Sequence, residues 1–177
     1  METFKNIVEK NTLYEIYTDS SDSRRFDVGY IIGYNDDWAL IERISPDGLH
    51  DGYRLTEIEA VIRLQYNTQY LGKIANLAAA KGTERKPLNL PESSLFVSVL
   101  EFISTNRFVC TLELIGERGY TESGFIEEIG VDTIRLAVVD SYGKPDGTMV
   151  TDLDDVSCVT FNSGDELNLA ILNLFNK

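Results

Sequence analysis

An internal repeat constrains the fold of this chain more than any other feature of its sequence. At a shift of 95 residues, residues 11–67 align with residues 106–162 without a gap. The identical pairs are Asn11 and Asn106, Gly29 and Gly124, Ile31 and Ile126, Asp37 and Asp132, Gly48 and Gly143, Asp51 and Asp146, Gly52 and Gly147, Thr56 and Thr151, Val61 and Val156, and Asn67 and Asn162. Between them apolar positions coincide with apolar positions, as two copies of one backbone require. The sequence therefore predicts two similar units.

Each unit is predicted to contain five short strands between two helices. In the first copy, apolar alternation and turn residues predict a helix at 2–10, strands at 12–18, 26–34, 38–45, 53–55 and 60–66, and a helix at 67–80. Pro46-Asp47-Gly48 is a tight-turn sequence, because proline presets φ and glycine accepts positive φ. Gly82 is expected to end the second helix.

The closing helix of the second copy matches less closely. Leu167, Ala170 or Ile171, and Leu174 correspond to Leu71, Ile74 and Leu77 if one or two residues are inserted. The sequence therefore predicts that both copies close with a helix.

A proline-containing segment divides the two copies. We assign residues 1–82 to the first helix-barrel-helix repeat, 83–91 to a linker and 92–177 to the second repeat. Pro87 and Pro91 stiffen the linker.

The repeated positions resemble the small SH3-like barrels, and among these the Sm-like family. The resemblance rests on Gly29, Tyr30, Ile31, Asp37, Leu40, Gly48, Gly52, Leu55, Ile58 and Val61, with their counterparts 95 residues later. It implies a mainly β fold with flanking helices, in which two five-stranded barrels follow one another. Sm-like proteins that bind RNA carry an Asn shortly after this Asp and an Arg-Gly or Lys-Gly pair before the last strand. Here Trp38 to Ile41 and Arg54 to Thr56 stand at those places, which argues against RNA binding.

The charge of the chain also disfavours nucleic acid as a partner. The net charge is −13, and residues 92–177 contain 5 basic and 15 acidic residues. Such a chain repels phosphate backbones, whose binding depends on Lys and Arg. The acidity is interpreted either as a solubilising property or as a surface for a basic partner.

The sequence contains no catalytic, metal-binding or cofactor-binding pattern. His50 is the only histidine, and Pro145 replaces it in the second copy, so an exposed turn residue is a simpler interpretation than a general base. Asp36-Asp37 and Asp152-Leu153-Asp154-Asp155 lack the ligand rhythm of a calcium loop and are typical of solvated turns. No nucleophile elbow or phosphate loop is present. We therefore predict no catalytic residue, no metal and no cofactor.

The two cysteines support a prediction about neighbouring strands. Cys110 aligns with Glu15, and Cys158 aligns with Arg63. In a closed five-stranded barrel the first and last strands are neighbours. We therefore expect Glu15 to lie close to Arg63 and Cys110 close to Cys158, with both thiols free in a reducing compartment.

Five residues form a candidate binding surface. Trp38 is the only tryptophan, and Thr133 replaces it in the second copy, so the fold itself does not require it. It is interpreted either as a core residue or as the aromatic anchor of a binding surface. The candidate surface consists of Tyr34, Asp36, Asp37, Trp38 and Tyr53.

These features favour a non-catalytic protein-interaction module whose partner is another protein. An acidic inhibitor or immunity-type protein that covers a basic active site is the first alternative. An Sm-like nucleic-acid-binding protein and a carboxylate-metal enzyme remain further alternatives. No apolar run is long enough to span a membrane and no secretory signal begins the chain, so a cytoplasmic location is expected.

Overall fold

The computed structural model describes residues 8, 9, 11–19, 22, 24–116 and 120–176. The chain is mainly β and divides into two compact units, Met1–Leu95 and Phe96–Lys177. The helix predicted at 2–10 lies largely outside the described residues. No helix in the described part is both long enough and apolar enough to cross a membrane.

The first unit contains an antiparallel sheet of five strands followed by a helix. Its elements are β1 (Leu13–Tyr17), β2 (Asp27–Tyr34), β3 (Trp38–Ile44), β4 (His50–Glu57), a 3₁₀ turn (Ile58–Ala60), β5 (Arg63–Gln65) and α1 (Gln69–Lys81). The strands are ordered β5-β1-β2-β3-β4. The predicted strands are confirmed, although β4 begins earlier and β5 is shorter than the sequence suggests. Gly82 ends α1 at φ 65°, as predicted.

Two apolar clusters hold the first unit together. One contains Tyr14, Ile16, Ile31, Ala39, Ile41 and Ile58. The other joins Val28 and Ile44 of the sheet to Leu71 and Ile74 of α1. The helix predicted to close the first copy is thus confirmed, and Leu71 and Ile74 lie on its buried face.

The second unit repeats this arrangement behind an additional described helix. Its elements are α2 (Leu95–Asn106), β6 (Val109–Leu114), β7 (Thr121–Ile129), β8 (Thr133–Val139), β9 (Pro145–Asp152), a 3₁₀ turn (Leu153–Asp155), β10 (Val156–Phe161) and α3 (Gly164–Phe175). Its strands are ordered β10-β6-β7-β8-β9, so each strand stands where its counterpart does in the first unit. In the described residues these ladders give each unit an open strand order, and barrel closure stays a prediction.

The hairpins of the two units share their register at the predicted shift. Ile31 pairs with Ile41 before a bulge in β2, and Ile126 pairs with Leu136 before the same bulge in β7. A Cβ at Gly29 would lie 2.5 Å from the Glu42 carbonyl oxygen, and one at Gly124 would lie 2.1 Å from that of Ala137. Both glycines are therefore required by the close approach of the neighbouring strand.

The gapless alignment is wrong by one residue in the first strand. Tyr14 pairs with Gly29, whereas Cys110 pairs with Gly124, so β1 and β6 correspond at a shift of 96. Asn11 and Arg107 precede these strands with left-handed φ values of 69° and 53°. The connection between β1 and β2 is therefore one residue longer than the connection between β6 and β7.

The insertion predicted for the last helix is also wrong. Thr68 caps α1 and Ser163 caps α3, which keeps the shift of 95. Gly48 lies against Leu77 and Ala78 of α1, and Gly143 lies against the corresponding residues of α3. The two helices therefore occupy equivalent positions, and the equivalent residues can be compared directly.

Candidate interaction surface

Helix α3 is fixed to its sheet by a buried carboxylate. Glu166 is 4% exposed and stands where α1 has Leu71. Its Oε1 accepts hydrogen bonds from the hydroxyls of Thr111 (2.9 Å) and Thr160 (2.8 Å). Its Oε2 accepts one from the backbone N–H of Ser163 at 2.9 Å, which completes a capping box. Polar contacts thus replace the apolar packing used by α1.

A second polar anchor lies near the other end of α3. Asn173 is buried and its Nδ2 donates to the carbonyl oxygen of Gly143 at 3.0 Å. Asn176 donates to the carbonyl oxygen of Tyr142, also at 3.0 Å. The glycine turn before β9 is therefore bound to the last turn and the C-cap of the helix.

On the side away from these polar anchors, α3 exposes four large apolar side chains. The outer face of α3 consists of Leu167, Ile171, Leu174 and Phe175, which are 49%, 53%, 68% and 83% exposed. These residues follow one another at helical spacing and form a continuous stripe. The predicted match of these residues to Leu71, Ile74 and Leu77 is wrong, because Leu71 and Ile74 are buried whereas the stripe is exposed.

The equivalent positions of α1 carry small or polar residues. Gly72, Asn76, Ala79 and Ala80 lie where α3 has Leu167, Ile171, Leu174 and Phe175. All four are exposed, as a solvated helix face requires. The shared backbone therefore does not dictate an apolar outer face.

The second unit also exposes an acidic corner. The backbone N–H of Leu153 donates to the carbonyl oxygen of Asp132 at 2.8 Å, which joins the turn before β8 to the end of β9. The exposed acids of this corner are Asp132, Asp152, Asp154 and Asp155. Most residues of β9 are exposed, whereas its counterpart β4 is half-buried or buried throughout.

Four of the five predicted binding residues lie together in the first unit. Tyr34 ends β2, Trp38 begins β3, and Asp36 and Asp37 lie in the turn between them. In this turn Oδ1 of Asn35 accepts the backbone N–H groups of Asp37 and Trp38. Asp36 and Asp37 are exposed. Tyr34 packs against the first apolar cluster.

Tyr53 does not join this group. It lies on β4 opposite Glu42, whereas Trp38 lies opposite Glu57 at the other end of the ladder. Its ring is 4% exposed and its hydroxyl donates to the carbonyl oxygen of Lys86 at 2.6 Å. Burial, with a smaller effect from Glu42, raises the pKa of Tyr53 to about 12.

Residues 83–86, which the sequence assigns to the linker, bind the first unit and are named the strap. Glu42 is fully buried and accepts hydrogen bonds from Nε of Arg85 at 2.6 Å and from the backbone N–H of Lys86. The hydroxyl of Thr83 donates to the Gly48 carbonyl oxygen at 2.7 Å. The guanidinium of Arg85 lies 3.5 Å from the centre of the Tyr30 ring. Nothing in the local sequence signals this arrangement, because Glu42 stands in a strand and Arg85 in a loop.

His50 lies at the rim of the same cluster. Its Nδ1 accepts the backbone N–H of Gly52 at 3.3 Å, and its Nε2 lies 3.9 Å from Oε1 of Glu42. Burial lowers the pKa of His50, although Glu42 opposes the shift. The residue is half-buried, so the predicted exposed turn position is wrong. In the described part of the chain, no group of three Asp, Glu, His or Cys side chains is placed to hold a metal ion.

The predicted neighbouring strands are present, and the two predicted side-chain pairs differ in outcome. In the first unit Glu15 lies opposite Gln65, and Arg63 lies opposite Tyr17, with its guanidinium 3.7 Å from the ring centre. Glu15 accepts hydrogen bonds from the hydroxyls of Tyr17 and Thr68. Glu15 and Arg63 thus share Tyr17 as a neighbour, which agrees with the predicted proximity.

The predicted pair of cysteines in the second unit is wrong, because the two residues are not opposite one another. Cys110 pairs with Phe161 and Cys158 with Glu113. Because side chains alternate along a strand, this register points the two thiols to opposite faces of the sheet. Both are buried thiols, and burial raises the pKa of Cys110.

The first unit also contains a cavity of about 420 Å³ next to Phe26 and Tyr70. Charged groups in its lining pair with each other: Arg43 contacts Asp27 at 3.1 Å and Asp51 at 3.2 Å. Fewer charged groups in the cavity lining are therefore available to a ligand than the number of charged residues there suggests.

Comparison of the chain with protein-family models, curated proteins and solved structures gives no match.

Proposed function

We propose that the chain is a non-catalytic, intracellular protein-interaction module built on two small SH3-like barrels, and that it binds protein through the outer face of α3. The observation that carries this proposal is the orientation of α3, which buries Glu166 and Asn173 while exposing three large apolar residues and Phe175 in one stripe. Large contiguous apolar surfaces on a folded protein mark interaction sites.

The comparison with α1 supports the same conclusion. A helix at the same place in the first unit has an outer face without large apolar side chains. The fold therefore tolerates small and polar residues on this helix face. The stability of the unit does not explain why α3 has leucines, isoleucine and phenylalanine there. Aromatic and aliphatic side chains at the centre of a protein interface supply most of its binding energy.

The experiment exchanges the outer face of α3 for that of α1. The variant Ile171→Asn/Leu174→Ala/Phe175→Ala carries the residues of the first copy, and Val131→Ala removes an exposed apolar side chain elsewhere in the second unit. Affinity capture from the native lysate should recover a protein with the wild type and with Val131→Ala, and lose it with the triple variant. Equal recovery by the triple variant, or no recovered protein, would contradict the proposal.

A second candidate function is an acidic inhibitor that covers a basic active site. The acidic corner favours it, because Asp132, Asp152, Asp154 and Asp155 are exposed together on a unit of strongly negative charge. Complementary charges accelerate association and select basic partners.

Salt and charge neutralisation test this second function. Capture of the partner should weaken at high salt and in Asp152→Asn/Asp154→Asn/Asp155→Asn. The matched control, Glu9→Gln/Asp47→Asn/Glu59→Gln, neutralises three exposed acids of the first unit. If both variants still capture the partner at high salt, the inhibitor function is excluded and the α3 surface is left as the binding site.

A further inference from the structure

We infer that the outer face of α3 binds the same face of a second copy of this chain, so that two α3 helices pack antiparallel around a two-fold axis. This inference rests on the proposed function, since it names the partner of the surface described above.

Charge favours a second copy at this surface. A partner attracted to the remainder of the second unit would be basic, because residues 92–177 contain 15 acidic and 5 basic residues. The outer face of α3 carries no charge, and its exposed neighbours Asn168 and Asn176 are also uncharged. An uncharged apolar stripe is complementary to itself. It is thus a place where two acidic chains can approach without bringing like charges together.

The stripe also satisfies the symmetry of a two-fold contact. Such an interface uses one patch twice, so the patch must be self-complementary. In an antiparallel pair centred on Ile171, Leu167 of one helix lies opposite Phe175 of the other, and the large ring faces the smaller leucine. This direction also places Asp165, in the first turn, at the far end of the helix from its symmetry mate, whereas a parallel pair would bring the two carboxylates together.

The size of the stripe sets the expected strength of the contact. Four large side chains that are half to four-fifths exposed present roughly 400 Å² of apolar surface in each copy. With the flanking polar residues, a pair of helices buries on the order of 1,000 Å² in total, at the small end of specific protein interfaces. We therefore expect a dissociation constant on the order of micromolar to tens of micromolar.

Sedimentation equilibrium of the purified full chain tests the association. The wild type and Val131→Ala should shift from monomer to dimer between about 1 and about 100 µM. Ile171→Asn/Leu174→Ala/Phe175→Ala should stay monomeric over this range while retaining the circular dichroism spectrum and unfolding midpoint of a folded protein. A dimer that persists in the triple variant would overturn the inference.

A cysteine placed on the predicted axis tests the orientation. Cys110 and Cys158 are buried, so the thiol of Ile171→Cys is the accessible one. Mild oxidation should link the Ile171→Cys variant into a covalent dimer. The control variant Val131→Cys should stay largely unlinked, although Val131 is 93% exposed. Equal linking of both variants would overturn the antiparallel pair.

The two proposals fail in different ways. A wild type that is monomeric at 100 µM, but whose captured partner depends on the outer face of α3, contradicts the dimer and leaves the interaction module standing. A monomeric wild type whose capture does not depend on this face contradicts both.

Discussion

Helices α1 and α3 occupy equivalent places in the two units and use opposite solutions to attach themselves. Helix α1 buries Leu71 and Ile74 and exposes small or polar residues, whereas α3 buries Glu166 and Asn173 and exposes an apolar stripe. Burial of apolar surface stabilises α1 directly. Helix α3 relies on satisfied hydrogen bonds, which leaves its apolar residues available for another protein. The comparison shows that a helix at this position can be attached either by apolar packing or by buried hydrogen bonds.

The same substitution in both helices provides the strongest test of this comparison. Ile74 is fully buried and Ile171 is half exposed. Ile74→Ala should lower the free energy of unfolding by about 4 kcal/mol, since it removes buried methyl groups and leaves a cavity. Ile171→Ala should change it by less than about 0.5 kcal/mol. Urea denaturation at low micromolar concentration measures both, and similar costs would show that the two faces are not distinguished by burial.

The glycine turns test what the two helices have in common. Gly48 and Gly143 have φ values of 76° and 77°. An added Cβ would lie 2.5 Å from the Ala78 backbone nitrogen or 2.6 Å from that of Asn173. Gly48→Ala and Gly143→Ala should each cost about 3 kcal/mol in thermal or urea unfolding, through backbone strain and displacement of the helix.

A control for these glycines is Gly82, which also has positive φ but open space around its Cα. Gly82→Ala should cost about 1 kcal/mol, because only the strain remains. A large cost at Gly48 with none at Gly143 would show that α3 is not attached as α1 is.

The buried carboxylate distinguishes α3 from α1. Glu166→Ala should destabilise the protein by about 2 kcal/mol, because the backbone N–H of Ser163 and the hydroxyls of Thr111 and Thr160 lose their acceptor. Glu101→Ala, an exposed position on α2, is the control and should have little effect. Equal unfolding midpoints for the two variants would mean that Glu166 does not hold the helix.

The smallest expected effect concerns pH and belongs to the first unit alone. Burial lowers the pKa of His50 in the folded protein, so the unfolded chain binds more protons between that pKa and about 6.5. Its contribution to stability is complete above the unfolded pKa and is lost as the pH falls towards the folded pKa. His50→Gln should flatten the dependence of the urea midpoint on pH between about 5 and 7. An unchanged pH profile would assign that dependence to other groups.

The sequence predicts the elements whose backbone is defined by a local signal. The strands around Gly48 and Gly143 follow from turn chemistry, and α1 ends at the glycine that predicts its end. The β1 register was missed because a single extra residue in a loop leaves no mark on apolar periodicity.

The candidate surface was harder to predict for a physical reason. Helical spacing shows that Leu167, Ile171 and Leu174 share a face, but it does not show whether that face meets the core or solvent. The deciding information is the pair of polar residues on the opposite side, Glu166 and Asn173, which become informative only when Thr111, Thr160 and Gly143 are known to face them. Tyr53 was placed on the surface for a related reason, since its partner Lys86 lies 33 residues away in the chain.

The strap has a consequence for how much of the chain the first unit needs in order to fold. Glu42 lies fully buried, and two of its hydrogen-bond donors come from Arg85 and Lys86. A fragment that stopped at Gly82 would keep every strand of the first unit and the helix α1. It would leave the charge of Glu42 buried without these donors, and the resulting loss of folding free energy exceeds that of many core truncations. The first unit therefore needs the residues up to Lys86, a few positions beyond α1, in order to fold by itself. The buried side chain of Glu42 is the reason for this requirement.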